Sequence, residues 1–197
     1  MNILVFVDTH GDKQTLKRVL EKAEKADLII CLGDISSFGK SLGSLLSNFK
    51  KFNVPFIFLH GNHEYIGDIK QIIKKHKFIM FLHKSAYQLN DYVFFGYGGG
   101  GFSQQDLKFE NITKKFKKTI NKNSKVILLT HAPPYGTKLD HLPKIGYVGN
   151  KSFNKFIKEI QPIYYFCGHI HENQGKVDKI GTTKIINPGP EGKIIKI

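Results

Sequence analysis

Five short segments of the sequence concentrate aspartate, asparagine and histidine, and each of them follows an apolar run. They are Asp8-Thr9-His10-Gly11, Gly33-Asp34, Gly61-Asn62-His63-Glu64, Thr130-His131 and Gly168-His169-Ile170-His171. Carboxylate oxygens, imidazole nitrogens and an amide oxygen together form a ligand set typical of divalent transition metals. These side chains exceed what one ion needs, whereas two ions that share a carboxylate would use them all. Paired ions ~3.5–4 Å apart are the arrangement expected for displacement at a phosphoester.

Strand-like apolar runs alternate with helix-like runs in the first third of the chain. The patterns predict strands over Ile3–Val7, Leu28–Leu32 and Pro55–Leu59, and helices over about Lys13–Lys25, Leu42–Phe52 and Ile66–His76. This order implies parallel strands with helices packed on a sheet. The polar segments then follow the carboxyl ends of strands, which is where open α/β sheets bind ligands.

The rest of the chain predicts more strands than helices. A hairpin is expected from Phe81–Leu89 and Tyr92–Gly96 around Asn90-Asp91, and antiparallel strands are expected in the tail over Gly175–Ile180, Lys184–Asn187 and Lys193–Ile197. Between them we expect helices over about Phe109–Asn121 and Ser152–Ile160, and strands over Lys125–Thr130 and Ile163–Phe166. Two packed sheets with helices outside are the simplest assembly, and residues 1–197 are expected to form a single domain.

In this order, the polar segments resemble the pattern D-x-H…G-D…G-N-H-[DE]…H…G-H-x-H of the calcineurin-like metallophosphoesterases. The resemblance spans residues 3 to about 189. The segments 131–136 and 168–172, with Ile186-Asn187-Pro188-Gly189 later, look closest to the Icc-related subgroup. The resemblance implies an α/β fold: a four-layer αββα sandwich with two packed mixed β-sheets.

The resemblance also implies roles for individual residues. Asp8, His10 and His171 would hold one ion, Asn62, His131 and His169 would hold the other, and Asp34 would bridge them. The expected cofactors are two divalent transition metal ions (Mn, Fe, Ni, Zn or Co), with manganese favoured. A hydroxide between the ions would attack phosphorus in line, and His63 would donate a hydrogen bond or proton towards the leaving oxygen.

The chain departs from the family pattern at two positions. Many relatives carry an aspartate three positions after the bridging one, where it orients the catalytic histidine, and here that position is Ser37. The group that orients His63 is therefore left open, and Glu64 is expected to point elsewhere. Phe38-Gly39 stands where the protein-phosphatase branch has Arg-Gly, which argues against a phosphoprotein substrate.

The expected function is hydrolysis of a small phosphodiester or phosphomonoester, with a cyclic nucleotide as one candidate. Tyr135, Lys138 and His141 lie in the loop after His131 and are candidate substrate-binding residues. The alternatives are a metal-dependent nuclease and a non-catalytic scaffold of the same fold. An intact ligand set that includes His63 favours the enzyme over the scaffold.

The formal net charge of +14 raises the question of a nucleic-acid partner. Arg18 is the only arginine, however, and arginine is the residue suited to bidentate recognition of phosphates and bases. We therefore expect no specific nucleic-acid partner, and we interpret the lysines mainly as solvated helix faces. Gly96–Gly101 also satisfies G-x-G-x-x-G, but its mid-chain place argues against a dinucleotide site, and we expect a flexible loop near the metal site.

Apolar runs and cysteine usage bear on the cellular context. No apolar run approaches the ~18 residues that a membrane span requires, and no signal peptide is expected. Cys31 and Cys167 are the only cysteines, and we interpret them as buried free thiols of a cytoplasmic protein.

His60 is expected to pack near the site, and His76 and His83 to lie at the surface. Oligomeric state is left open.

Overall fold

A computed structural model of the chain describes residues 1–121 and 123–197. The strands are β1 (Asn2–Phe6), β2 (Leu28–Cys31), β3 (Phe56–Phe58), β4 (Ile79–Phe81), β5 (Ser85–Leu89), β6 (Tyr92–Tyr97), β7 (Lys125–Thr130), β8 (His141–Leu142), β9 (Gly146–Tyr147), β10 (Tyr164–Phe166), β11 (Val177–Ile180), β12 (Thr183–Ile186) and β13 (Lys193–Lys196). The α-helices are α1 (Lys13–Ala23), α2 (Leu42–Ser47), α3 (Ile66–Lys75), α4 (Leu107–Phe116) and α5 (Lys151–Ile160).

The first sheet has the strand order β13-β1-β2-β3-β4. Strands β1 to β4 are parallel, while β13 pairs antiparallel with β1, so that Asn2 lies opposite Lys196. The apolar faces of α1, α2 and α3 cover one side of this sheet. Leu16 of α1, Leu46 of α2 and Ile69 of α3 belong there to one buried cluster with Phe6, which points outward from β1.

The second sheet has the order β11-β12-β10-β7-β6-β5. Its four central strands are parallel, and β5 and β11 pair antiparallel at the two edges. Helices α4 and α5 cover its outer side, where Phe109 and Phe156 pack with Phe95 and Tyr165 of the sheet. Both sheets are therefore mixed, and each carries helices on one face.

The inner faces of the two sheets pack against each other. Because strand residues alternate between faces, Ile3 and Val5 of β1 point inward while Leu4 and Phe6 point towards the helices. They meet Leu129 of the second sheet in a core of fully buried side chains. The layers are thus helix, sheet, sheet and helix, which confirms the predicted αββα sandwich.

The predicted hairpin strand over Phe81–Leu89 is wrong as a single strand. The chain leaves the first sheet after β4, turns at Lys84 with φ +59°, and enters the second sheet as β5. The tail is also only partly as predicted. Strands β11 and β13 are antiparallel to their neighbours, but β12 runs parallel to β10, and β13 joins the other sheet.

Two predicted helices have different bounds. The helix expected over Leu42–Phe52 ends at Ser47, and a 3₁₀ turn over Lys50–Phe52 follows it. The helix expected over Phe109–Asn121 begins earlier, at Leu107, because the Asp106 carboxylate caps its start by accepting from the Phe109 amide. This helix ends at Phe116.

Both cysteines are buried and unpaired, as predicted. Within the described residues, no helix has the length and apolar character needed to cross a bilayer.

Candidate metal centre

All five polar segments meet at one end of the sandwich. Strands β1, β2 and β3 of the first sheet lead into the segments that begin at Asp8, Gly33 and Gly61, and β7 and β10 of the second sheet lead into those at His131 and Gly168. The two central strands of the second sheet are joined there by the hydrogen bond from the Gly168 amide to the His131 carbonyl, and His131 contacts Leu32 of the first sheet. The parallel strands of both sheets therefore deliver their carboxyl ends to one place.

Several candidate ligands have left-handed backbone conformations, which are unfavourable for residues other than glycine. The φ angles are +58° at Asp8, +47° at His10, +49° at Asp34 and +70° at His169. Backbone hydrogen bonds fix them: the Asp8 amide donates to Gly33 over 3.1 Å, and the His10 amide donates to Asp34 over 2.9 Å. Such strain is typical of functional sites, where the surrounding structure holds it in place.

At two motif glycines, neighbouring atoms leave no room for a side chain. A Cβ atom on Gly61 would overlap the Asp34 carboxylate and lie 2.7 Å from Cε1 of His131. A Cβ atom on Gly168 would overlap Val7 and lie 2.8 Å from Oδ2 of Asp8. The segments carry glycine there because the candidate ligands pass so close to the backbone.

Asp8, His10 and His171 form the first group, which we call the outer position. One ligand atom from each lies within 4.8 Å of the others, and Nε2 of His10 is 3.1 Å from Nε2 of His171. Oδ2 of Asp8 accepts from the His169 amide over 2.9 Å, while Oδ1 is buried with no hydrogen-bond partner in the described part of the chain. Two imidazole nitrogens and a carboxylate with an oxygen free of hydrogen bonds to the described residues, converging in this way, fit a divalent cation.

Asn62, His131 and His169 form the second group, which we call the inner position. His131 is fully buried, and its Nδ1 lies 3.0 Å from the Leu32 carbonyl, which accepts that proton and leaves Nε2 facing the centre. Nε2 of His131 is 3.1 Å from Oδ1 of Asn62, and the His169 ring lies 5.2 Å from the His131 ring. Nε2 of His169 is buried and unpartnered among the described residues.

Asp34 lies between the two positions. Its Oδ2 is 3.3 Å from Nε2 of His131, and its ligand atoms also fall within 4.8 Å of those of Asp8 and His10. Its Oδ1 accepts from the His63 amide over 2.9 Å. A carboxylate shared between two groups of ligands in this way is suited to bridging two ions.

The charges at the centre also fit bound cations. Burial alone would lower the pKa of His131, but the hydrogen bond and charge of Asp34 raise that pKa to about 9. Burial opposes ionisation of Asp34, yet His131 lowers the pKa of this carboxyl to about 2. Burial raises the pKa of Asp8 and lowers that of His169 to about 4. Two buried carboxylates thus depend on one imidazolium for compensation, and divalent ions would replace that proton with stronger positive charge.

His63 lies at the edge of the centre and is oriented by packing. Its ring centroid is 4.8 Å from that of His10 and 4.3 Å from that of Phe38, and its Nε2 is 3.9 Å from Oδ2 of Asp34. Ser37 does not orient it, because the Ser37 hydroxyl donates to the His10 carbonyl over 3.1 Å. His63 also forms a possible ligand group with His10 and Asp34, so metal ligation is a competing role.

Glu64 holds two of the ligand segments together. Its buried carboxylate accepts from the amides of Asp34, Ser36 and Gly61 over 2.8, 3.0 and 2.9 Å. Among the described residues its hydrogen bonds go to these amides and to the Ser36 hydroxyl and not to the His63 ring, in line with the expectation that it does not orient His63. The sequence identified Glu64 only as part of a motif, and its position as a tie between the loops after β2 and β3 emerges only in the folded chain.

The glycine-rich loop after β6 lies against His60. The Gly99 amide donates to the His60 carbonyl over 2.7 Å, and a Cβ on Gly98 or Gly99 would contact His60. The expected surface position of His83 is wrong, because its Nδ1 accepts from the Gly98 amide and its ring packs 4.6 Å from that of His60. Burial lowers the pKa of His83 to about 4. The glycines thus serve close packing beside the metal centre.

The three candidate substrate-binding residues lie outside the metal centre. Lys138 and His141 line a cavity of about 480 Å³. Among the described residues, the lining of this cavity includes none of the proposed metal ligands. The Tyr135 ring lies 4.6 Å from Nζ of Lys151 and 5.8 Å from the Tyr147 ring. Their loop is well tied, since the buried carboxylate of Asp140 accepts from the amides of Gly136, Thr137 and Gly149.

Sequence reasoning missed two exposed aromatic rings beside the centre. Phe38 is 73% exposed and contacts His63, and Phe102 is 64% exposed and lies 5.1 Å from the His169 ring. Their positions in the sequence could have indicated that they lie near the site, since Phe38 follows Ser37 and Phe102 follows the glycine-rich run. Uncovered rings at such places can stack on a planar group.

The family model for calcineurin-like phosphoesterases matches residues 1–173. The match covers most of the chain, and the chain belongs to this family. The predicted family and enzyme class, a phosphoesterase-type hydrolase, are confirmed, and the Icc-related subgroup stays a prediction.

Three similar proteins illustrate the relationship. The uncharacterized protein MJ1162 of Methanocaldococcus jannaschii is 29% identical over 99% of this chain and 91% of its own length. The crystal structure of TT1561 of Thermus thermophilus has a TM-score of 0.75 and 17% identity, covering 95% of this chain and 88% of that one. A dimetal phosphatase from Danio rerio has a TM-score of 0.59 and 9% identity, covering 94% and 86%. At these identities the two structures establish the fold alone.

Proposed function

We propose that the protein hydrolyses a small phosphodiester or phosphomonoester at a centre of two divalent transition metal ions. The observation that carries this proposal is that Asp34 belongs to two sets of converging ligand atoms, one with His10 and His63 and one with Asp8 and His131. The outer position would use Asp8, His10 and His171, and the inner position Asn62, His131 and His169. Family membership supports the same reaction class. Manganese is the favoured metal because carboxylate and amide oxygens suit it, while the imidazole ligands also suit Fe, Ni and Zn.

Individual residues would have separate roles in this reaction. When bound, the ions would polarise the phosphoryl oxygens and activate water for in-line attack. Asp34 would hold both positions at a fixed separation, and Leu32 would keep His131 in the tautomer that presents Nε2. His63, which is 22% exposed at the edge of the centre, would donate a proton to the leaving oxygen.

The substrate is proposed to be small. Phe38 and Phe102 offer exposed rings beside His63 and His169, and they suit a planar group such as a nucleobase or an aryl leaving group. A cyclic nucleotide is therefore a fitting candidate. Tyr135, Lys138 and His141 remain candidate contacts for a longer substrate, and cytoplasmic location remains a prediction.

Substitution of His63 tests its role. His63→Ala should lower turnover of alkyl phosphate esters by ~10²–10⁴-fold, because a general acid matters most for poor leaving groups. It should lower p-nitrophenyl ester turnover much less and leave the bound metal unchanged. Equal losses for both esters would contradict the acid role, and loss of a metal ion would favour ligation by His63.

The nuclease alternative rests on the net charge of +14. With added manganese at about 150 mM salt, we expect turnover of bis-p-nitrophenyl phosphate or of a 2′,3′- or 3′,5′-cyclic nucleotide. Duplex DNA should bind weakly and with steep salt dependence. Efficient DNA cleavage without small-ester turnover would overturn the proposal. Absence of any metal-dependent hydrolysis would favour the scaffold.

A further inference from the structure

A groove of about 750 Å³ runs between α1 and α2 and reaches the metal centre. One face of each helix lines it, with residues three and four positions apart: Lys13, Leu16, Lys17 and Leu20 on α1, and Ser41, Ser44, Leu45 and Asn48 on or next to α2. His10, Gly11 and Ser37 line its end. Because His10 belongs to the outer position, the groove and the proposed metal centre are continuous.

The charged rim of this groove is entirely positive. Lys13 and Lys17 of α1 and Lys40 before α2 are side chains of the lining, and no carboxylate lines it among the described residues. Asp12 is next in sequence, but its carboxylate accepts from the Thr15 amide as the cap of α1 and lies outside the lining.

These lysines differ from Arg18 and Lys22, the two other basic residues of α1. Arg18 on the same helix pairs with Glu191, and Lys22 donates to the carbonyls of Glu191 and Gly192 over 2.8 and 2.9 Å. Within residues 1–121 and 123–197, no ion pair involves Lys13, Lys17 or Lys40. The groove therefore concentrates uncompensated positive charge beside the centre.

The floor of the groove is apolar. Leu16 is buried, and Leu20 and Leu45 are half-buried and pack on the core of the first sheet. From Lys13 to Leu20 the helix rises ~10 Å, at about 1.5 Å per residue. An apolar floor of this length with a cationic rim suits an organic group that ends in an anion.

We propose that this groove binds the part of the substrate beyond the reacting phosphate, and that this part carries a second anionic group. The substrate class is thus a phosphoester joined by an apolar or planar spacer to a second phosphate or carboxylate. The inference rests on the proposed function, because it assumes that the reacting phosphate lies at the metal centre.

A pair of non-hydrolysed nucleotide analogues tests the groove by binding. The first is the 5′-methylenephosphonate analogue of thymidine monophosphate, and the second carries an added carboxymethyl ether on its 3′-oxygen, so that neither compound contains a hydrolysable phosphoester. Dissociation constants would be measured by calorimetry with manganese-loaded protein. The wild type should bind the second compound about tenfold more tightly, the size expected from two or three exposed ion pairs. This preference should shrink as salt rises from about 0.1 M to about 1 M.

Two double variants separate the groove from general surface charge. K13A/K17A should reduce the preference to about twofold or less, since both lost charges line the groove. K74A/K75A removes the same charge from the end of α3, away from the groove lining, and should keep the full preference. Equal affinities in the wild type, an unchanged preference in K13A/K17A, equal losses in both variants, or no binding of either compound would each overturn the inference.

Failure of the proposed function has a different signature. It would be seen as absent metal-dependent turnover of bis-p-nitrophenyl phosphate by the wild type, whatever the binding preference of the groove.

Discussion

The metal centre and the lysine groove beside it are built in opposite ways. At the centre, Asp8, Asp34 and His131 are at most 4% exposed, and strained backbone and hydrogen bonds fix their positions. In the groove, Lys13 and Lys17 are exposed and unconstrained by ion pairs among the described residues. The chemistry thus depends on buried groups held in place, while the proposed substrate preference depends on exposed surface charge that can change at little cost to the fold.

The largest expected effect follows from Asp34. Asp34→Asn keeps an acceptor for the His63 amide but removes the charge shared by both positions. Metal content should fall from two ions towards zero, and turnover should fall ~10³-fold or more, because the ions contribute several kcal/mol to the transition state.

The control for this variant is Asp91→Asn, whose side chain is 81% exposed and distant from the proposed ligands in the fold. It should retain both ions and full activity. Two tightly bound ions in the Asp34 variant would break the assignment of Asp34 as the bridge.

A smaller effect is expected at Glu64, which is not one of the proposed metal ligands. Glu64→Ala leaves the amides of Asp34, Ser36 and Gly61 without their acceptor. We expect a loss of about 1–3 kcal/mol in the free energy of unfolding. Metal affinity should fall ~10–100-fold, as is typical for groups that support ligands. Metal titration and urea unfolding measure the two effects, with the exposed Glu24 changed to alanine as control. Unchanged metal affinity would show that the loops after β2 and β3 hold without this tie.

The last prediction concerns stability alone and compares two histidines in metal-free protein, His131 after β7 and His141 in β8. His131→Ala removes a fully buried ring hydrogen-bonded to Leu32 and should cost about 1–3 kcal/mol of unfolding free energy. His141→Ala changes an exposed ring and should stay within about 0.5 kcal/mol of the wild type. Urea unfolding in excess chelator gives both values. Similar losses of unfolding free energy in the two variants would contradict the contrast between the buried centre and its exposed surroundings.

The sequence predicted the layers and family because each polar segment directly follows an apolar strand, and strand ends in parallel sheets converge. It failed over Phe81–Leu89, because the change of sheet occurs at Lys84, a residue without the usual signal for a left-handed turn. The surface position predicted for His83 was wrong, and the hydrogen bonds of Glu64 to the loop after β2 were not predicted, because the partners of both residues come from other segments. The groove was equally hidden, since nothing local tells which faces of α1 and α2 oppose each other.

The central claim is that this centre holds two ions. The most direct test is metal analysis of wild-type protein after manganese loading and dialysis, paired with activity on bis-p-nitrophenyl phosphate during stepwise reloading of metal-free protein. We predict two ions per chain, with activity that requires the second. A wild-type protein that binds at most one transition metal, or that reaches full activity with one, would contradict the binuclear centre.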